Sequence, residues 1–279
     1  MSPKVGICTD SSSHLPTLLA ERYDIAVVPV TVTVDGVDYL EGADLDADSF
    51  YGHFDLGRRP EFTTTEPSPG QFAVTYEELI AHGCTEILSI HATSTITGTI
   101  KAARLAAHST PVTVRLVDSR TAGFGTSCVV WAAADAVAAG ASLDEATQVA
   151  ERLAPSIGTV FMLCAVGPRC ESRRRDSDPE GRSGVPVLTV REGSIDVLGR
   201  FDAVVDAVDS MADYVIGWGD RLKVAVGHSD STSTQLADAL EEAIGPAANV
   251  SEVVRYRIGP SMGIHTGPGS VSCFMFPAG

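Results

Sequence analysis

Residues 86–108, EILSIHATSTITGTIKAARLAAH, connect a buried strand to a helix through a loop rich in hydroxyl groups. The apolar run at 86–91 predicts the strand, and residues 97–108 fit the helix. The loop at 93–99 carries five hydroxyl side chains. A helix N-terminus offers unpaired N–H groups to an anion, and Gly98 permits close approach. This loop is therefore a candidate anion site, and capping of the helix is the alternative.

Strand and helix patterns alternate on both sides of this stretch. Ser68 with Gln71 and Ser142 with Glu145 form predicted capping boxes, and Pro29 predicts an edge strand or a bulge. The strands are predicted at 4–9, 25–34, 86–91 and 112–117, and the helices at 15–23, 69–83, 97–108, before 140 and from 142 to 155. This alternation predicts an α/β fold with a mainly parallel N-terminal sheet.

The second half repeats the mixture of strands and helices after a boundary near Pro155. We expect an N-terminal α/β domain at 1–155 and a C-terminal α/β domain at 156–279. Strands are predicted at 158–165, 185–190, 194–198, 222–228 and 252–257, and helices at about 202–216 and 232–244. The charged segment 167–184 predicts a mobile loop, which either is solvated or docks an acidic partner or a phosphate.

Charge and composition exclude several classes of function. The 279 residues include 20 basic and 36 acidic side chains, and the net charge of −16 argues against nucleic acid or an anionic membrane as the main partner. The six cysteines form no CxxC pair, so we expect most of them to be buried reduced thiols, and we expect no metal and no cofactor. We also expect no signal peptide, no membrane span and a cytoplasmic location.

Three further segments carry hydroxyl groups: TDSSS at 9–13, TTTEPSPGQF at 63–72 and GIHTGPGS at 263–270. The last places His265 beside Thr266 in a predicted glycine- and proline-rich turn. Together with the 93–99 loop, these segments predict a site that binds an anion with neutral donors and one imidazole. Each also has a structural alternative, namely a helix cap, a plain loop and a structural histidine.

The order of five segments resembles the DegV family. The segments are Thr9–Ser11, Thr64–Ser68, the 93–99 loop, Val117–Ser119 and Gly263–Gly269. The resemblance implies a two-domain α/β protein of bacterial type with a long-chain fatty acid buried between the domains. It also implies the lipid-binding component of a fatty acid kinase, a non-enzymatic acyl carrier that presents the carboxylate to a separate kinase for acyl phosphate formation.

The family pattern also implies particular roles for residues of this chain. Thr64, Ser94 and His265 would bind the carboxylate. Further ligand contacts would come from Thr65, Thr93, Thr95 and Thr266, and any membrane contact would be transient. Arg169 and Arg200 would stand in for arginines that dock the kinase.

The chain departs from the family pattern at two places. Glu66 stands where the family usually has glutamine, and we expect its side chain to face solvent. The segment Gly167-Pro168-Arg169-Cys170 and the charged loop after it replace a glycine-glycine-arginine-isoleucine segment, which puts the kinase partnership in doubt.

Two other functions stay open at this point. One is a binding protein or regulator for another apolar anion, without a kinase partner. The other is an esterase-like hydrolase that uses a serine and His265. Against the hydrolase, the sequence has no GxSxG motif and no acid evidently paired with His265.

Overall fold

The computed structural model describes residues 3–56, 60–166, 184–191 and 193–279. The chain divides into two compact units, of which the first contains Met1–Leu45 and Glu61–Ser156. The second contains Asp46–Pro60 and Ile157–Gly279. The two contiguous domains expected at 1–155 and 156–279 stay a prediction. That prediction assigns segment 46–60 to the N-terminal domain.

The strands and helices are numbered along the whole chain. The strands are β1 Val5–Asp10, β2 Ile25–Val28, β3 Thr31–Val34, β4 Val37–Leu40, β5 Phe62–Thr65, β6 Glu86–His91, β7 Thr113–Asp118, β8 Gly158–Met162, β9 Val185–Arg191, β10 Ser194–Phe201, β11 Leu222–His228, β12 Val250–Arg257 and β13 Val271–Pro277. The helices are α1 Thr17–Tyr23, α2 Ala47–Gly52, α3 Pro69–Ala81, α4 Thr99–Ala107, α5 Phe124–Ala138, α6 Leu143–Leu153, α7 Val204–Ile216, α8 Thr234–Ile244 and α9 Pro260–Thr266.

A four-stranded parallel sheet forms the centre of the first unit, in the order β2-β1-β6-β7. Ile7 of β1 lies opposite Ile25 of β2 and Leu88 of β6. The two central strands are almost wholly buried, as expected for a parallel sheet with helices on its faces. The predicted α/β fold with a parallel N-terminal sheet is therefore confirmed.

Both predicted capping boxes begin helices of this unit. The Ser68 N–H donates to Oε1 of Gln71 at 2.9 Å, and the Gln71 N–H donates to the Ser68 hydroxyl at 3.3 Å. Ser142 and Glu145 make the same reciprocal pair at the start of α6. These side chains satisfy N–H groups that a helix leaves without partners at its first turn.

The single strand predicted at 25–34 is wrong. The chain forms β2 at the edge of the parallel sheet, then β3 at the centre of a separate antiparallel sheet in the order β4-β3-β5. Proline has no N–H to donate at Pro29, and the next N–H, that of Val30, donates to the Ser11 hydroxyl at 2.9 Å. The chain therefore ends its pairing with β1 before Pro29 and begins to pair with β4 and β5 after it.

A six-stranded sheet forms the second unit, in the order β10-β9-β8-β13-β11-β12. Only the β11–β12 pair is parallel among these neighbours. Helices α7 and α8 supply side chains to the core on one face of the sheet. Buried members of this core include Val160, Met162, Val187, Met211, Val224, Leu240 and Met275.

The opposite face carries a row of residues that the strand registers align. The row is Tyr256, Gly227, Ser272, Phe161, Leu188 and Val197. The Tyr256 hydroxyl lies 2.6 Å from the Ser272 hydroxyl, and a Cβ on Gly227 would overlap the Tyr256 ring. Glycine at 227 therefore lets the tyrosine ring lie flat across its neighbouring strand.

Apolar side chains are exposed at the β9–β10 end of this face. Val190, Ile195 and Val197 are 43%, 62% and 52% exposed. Ile195 pairs with Val190, and Val197 pairs with Leu188, so the four side chains project from the same side of the hairpin. We call Leu188, Val190, Ile195 and Val197 the hairpin face.

The turn predicted at 263–270 is wrong in its first half, because α9 extends to Thr266. Pro260 occupies the first turn of this helix, where its missing N–H costs nothing. The turn itself begins at Gly267, where φ is +72°, and Gly269 has the same φ. Both conformations favour glycine.

Four cysteines, Cys8, Cys84, Cys128 and Cys273, are buried thiols, as predicted, whereas Cys164 is disulfide-bonded. Burial raises the pKa of Cys8 to about 12, which keeps this thiol protonated near neutral pH. No helix within residues 3–56, 60–166, 184–191 and 193–279 is long and apolar enough to cross a membrane.

Candidate functional site

The hydroxyl-rich loop at 93–99 lies between β6 and α4, at the carboxyl end of the parallel sheet. The Thr97 hydroxyl accepts from the Thr99 N–H at 3.2 Å, and the Thr93 and Thr95 hydroxyls lie 3.1 Å apart. Ser94 and Thr95 are exposed. Some hydroxyls of the loop therefore shape the turn, while Ser94 and Thr95 face solvent. The N-cap of α4 is Gly98, and no side chain caps the helix there.

Asp118, at the end of β7, fixes the backbone of this loop. Its carboxylate accepts from the Ser94 N–H at 3.1 Å and from the Arg120 N–H at 2.9 Å. Burial raises the pKa of Asp118, but hydrogen bonds from Ser94 and Arg120 outweigh burial, so the pKa is lowered overall. An ionised carboxylate thus contacts the backbone N–H of Ser94.

Thr64 and Thr65 end β5, and both are exposed. The next residue, Glu66, is exposed as predicted, but its carboxylate also lies against Gly98 of the 93–99 loop. A Cβ built on Gly98 would lie 2.5 Å from Oε1 of Glu66. The two predicted hydroxyl segments of the first unit therefore lie next to each other.

His265 lies on α9 in the second unit and is exposed. Thr266 ends the same helix, and its hydroxyl donates to the Met262 carbonyl at 3.3 Å. The structure thus brings together the segments of Thr64 and Ser94. His265 stands on a helix rather than in a turn.

Hydrogen bonds to the segment 228–233, HSDSTS, hold the turn that follows His265 in place. The sequence analysis did not identify this segment. Asp230 accepts from the Gly269 N–H at 2.7 Å and from the Ser229 hydroxyl at 2.8 Å. The Ser229 hydroxyl in turn accepts from the Ser270 N–H at 2.9 Å. The available signal was a run of hydroxyls and a carboxylate after a strand, the same pattern as TDSSS.

Asp230 is ionised although it is partly buried. Burial raises its pKa, but hydrogen bonds from the Gly269 N–H and from the hydroxyls of Thr232, Ser229 and Ser233 outweigh burial, and the pKa is lowered overall. An ionised acceptor at this place holds the glycine turn that follows α9.

A second buried carboxylate organises the TDSSS segment. Asp10 is 1% exposed, and it accepts from the Ser12 N–H at 3.2 Å and from the Ser12 hydroxyl. Its other oxygen lies 2.7 Å from Nδ1 of His91, whose Nε2 lies 2.7 Å from the Ser89 hydroxyl. The Tyr76 hydroxyl donates to the Ser89 oxygen at 2.9 Å.

The Asp10 end of this chain of bonds has a fixed direction. A carboxylate only accepts, so Nδ1 of His91 donates to Asp10, while Nε2 and the Ser89 hydroxyl share a hydrogen bond. The order serine, histidine, aspartate matches that of a hydrolase triad. Ser89 and His91 are wholly buried, however, and Ser89 already accepts from Tyr76, so no ester reaches this serine in this structure.

The remaining predicted residues are placed as follows. Arg200 lies on β10, opposite Pro186 of β9. Arg169, the segment 167–170 and almost all of the predicted mobile loop at 167–184 lie outside the described residues. Within the described ranges, histidine, cysteine and acidic side chains form no group of three that could bind a metal ion.

A family model and two similar bacterial proteins identify the relatives of this chain. The model of the DegV family, described as an uncharacterised protein family, matches residues 4–166. A DegV domain-containing protein of Streptomyces coelicolor is 31% identical, over 96% of this chain and 97% of its own. One from Mycobacterium bovis is also 31% identical, over 96% of this chain and 95% of its own.

Solved structures of similar proteins have the same fold. A fatty-acid-binding DegV family protein from Thermus thermophilus has a TM-score of 0.83 and 25% identity, over 99% of this chain and 100% of its own. A stearic-acid-binding protein from Eubacterium ventriosum has a TM-score of 0.79 and 19% identity, over 99% of this chain and 98% of its own.

The buried histidine of the 228–233 loop predicts a pH dependence of stability. Burial, followed by the charges of Arg257 and Arg255, lowers the pKa of His228 from 6.5 to about 4. Between these values the unfolded chain binds a proton that the folded chain does not. This contribution to the free energy of unfolding is therefore complete above pH 6.5 and is lost as the pH falls towards 4.

We expect His228→Gln to flatten that decline, as measured by denaturant unfolding at several pH values. His108→Gln, which removes an exposed histidine, serves as the control. A slope for His228→Gln equal to that of the wild type would contradict the assignment.

Proposed function

We propose that this chain, which belongs to the DegV family, binds a long-chain fatty acid and is not itself an enzyme. In this proposal Thr64, Ser94 and His265 bind the carboxylate. Thr65, Thr93, Thr95 and Thr266 provide further contacts. The observation that carries the proposal is that the segment ending at Glu66 and the 93–99 loop meet at Glu66 and Gly98, next to the exposed hydroxyls of Thr64, Thr65, Ser94 and Thr95.

The chemistry of these groups suits a carboxylate head group. Removing a carboxylate from water is costly unless hydrogen bonds replace its hydration. Hydroxyl and imidazole donors provide such bonds without burying a second full charge. The fatty acid bound by the similar protein from Thermus thermophilus supports the same ligand class here.

The head-group residues are tested by replacing Ser94 and His265 together with alanine. We expect the double variant to lose a co-purifying fatty acid that the wild type retains, because two of the three carboxylate donors are gone. Native mass spectrometry, followed by extraction and identification of the lipid, measures retention.

A matched control replaces Ser194 and His108, which are an exposed serine and an exposed histidine elsewhere in the chain. This control is expected to keep its lipid. Equal lipid content in all three proteins would contradict the assignment of Ser94 and His265.

We further propose that the bound carboxylate is presented to a partner fatty acid kinase. The family resemblance supports this part, together with Arg200 on β10 as a docking residue; Arg169 is proposed with it. Arg200→Glu is expected to lower acyl phosphate formation by a purified fatty acid kinase while the lipid content stays unchanged. Unchanged acyl phosphate formation would contradict docking through Arg200.

A further inference from the structure

Strand β7 is the edge strand of the parallel sheet, and in the described part of the chain it has a neighbouring strand on one side only. It pairs with β6 from Thr113 to Asp118. Within the described residues, the backbone of 114–116 makes no hydrogen bond outside this ladder. An edge strand presents N–H and C=O groups with which a further strand can pair.

A cleft of about 500 Å³ lies along this edge. Three consecutive residues of β7 line it, namely Val114, Arg115 and Leu116. Consecutive side chains of a strand point to opposite faces of the sheet, so a cleft lined by all three lies at the strand edge. Its two sides are formed by Arg104 of α4 and, on α6, by Asp144, Thr147, Gln148 and Glu151. We call this cleft the β7 groove.

The two sides of the β7 groove belong to opposite faces of the sheet. Arg115 points towards α6, where its Nη2 lies 3.3 Å from the carboxylate of Asp144. Val114 and Leu116 point to the other face, and both pack against the core cluster that contains Ala103 of α4. A strand bound in the groove would likewise place alternate side chains against α4 and against α6.

The two sides also carry opposite charges. Arg104 and Glu151 are exposed, and neither makes an ion pair with another described residue. Arg115 and Asp144 offset each other in an exposed pair, which contributes little to stability. The α4 side of the groove is therefore positive at Arg104, and the α6 side is negative at Glu151.

These charges argue against a second copy of the chain as the occupant. Symmetric pairing of two copies through β7 would be antiparallel, about a two-fold axis perpendicular to the sheet. Each helix would then face its own counterpart, so Arg104 would face Arg104 and Glu151 would face Glu151. Like charges at short range repel each other, whereas a different protein can match both sides of the groove.

We propose that the β7 groove binds an extended segment of another protein, which adds a strand to the parallel sheet beside β7. The segment carries β-branched residues, an acidic side chain on the face towards Arg104 and a basic side chain on the face towards Glu151. Main-chain hydrogen bonds provide affinity in this mode of recognition, and alternate side chains provide specificity. The interaction is independent of the proposed lipid binding.

The test uses the fluorescein-labelled peptide VTVKETVT, in which the valines and the glutamate share one face of an extended strand and the lysine lies on the other. Valines that contact Val114 and Leu116 place the glutamate on the side of Arg104. We expect the full chain to bind this peptide about fivefold more tightly than VTVEKTVT, in which the two charges are exchanged. Fluorescence anisotropy measures both dissociation constants.

The role of the peptide backbone is tested with two N-methylated forms of VTVKETVT. One is methylated at the odd positions and the other at the even positions, and alternate N–H groups of a strand point to opposite edges. One form is expected to lose at least about tenfold in affinity, because the donors that face β7 are gone. The other form should keep most of its affinity.

Exchange of the charges in the groove is the decisive variant. Arg104→Glu combined with Glu151→Arg is expected to reverse the preference, so that VTVEKTVT binds about fivefold more tightly. Arg221→Glu combined with Glu77→Arg, at exposed positions elsewhere, is the matched control and should keep the wild-type preference.

Three results would overturn the proposal: no binding of VTVKETVT by the wild type, equal affinity of the wild type for the two charged peptides, or full affinity of both N-methylated forms. Sedimentation of the chain alone tests the other occupant. A dimer that dissociates in the Arg104→Glu and Glu151→Arg variant would assign the groove to a second copy and overturn the assignment to a different protein.

Discussion

Burial of the Asp10 carboxylate at the end of β1 constrains much of the first unit. A carboxylate that is 1% exposed must be surrounded by donors, and these come from Ser12 and from His91 of the neighbouring strand. Nε2 of His91 then shares a hydrogen bond with the Ser89 hydroxyl, which in turn accepts from Tyr76 of α3. One buried charge thus orders the TDSSS segment, the central strands and a covering helix together.

The second unit uses the same arrangement at the end of β11. Asp230 accepts from the Gly269 N–H and from neighbouring hydroxyls, and so fixes the turn that follows His265. In the first unit, Asp118 likewise fixes the backbone of the loop at Ser94. In each case the hydroxyl or imidazole proposed to meet the ligand belongs to a segment whose backbone is fixed by an ionised aspartate. Such support holds donors in place before a ligand arrives.

Sequence patterns predicted the elements whose signal is local. The apolar runs of β1 and β6 and the capping boxes at Ser68 and Ser142 depend on neighbouring residues, and these elements formed as predicted. Pro29 indicated an edge strand or a bulge. Whether a proline ends a strand or only bends it depends on which strands pair with the residues that follow. The role of Asp230 depends on Gly269, far along the chain, and the contact of Glu66 with Gly98 likewise needs tertiary structure.

The early segment 46–60 has a consequence for synthesis of the protein on the ribosome. Phe50 and Tyr51 of α2 are buried in the second unit, where they pack against Gly263 and where Tyr51 donates to the Ile258 carbonyl at 3.0 Å. These partners are synthesised about two hundred residues later. Two aromatic rings therefore stay without their final neighbours while the first unit is completed, and the second unit closes only when the last strands emerge.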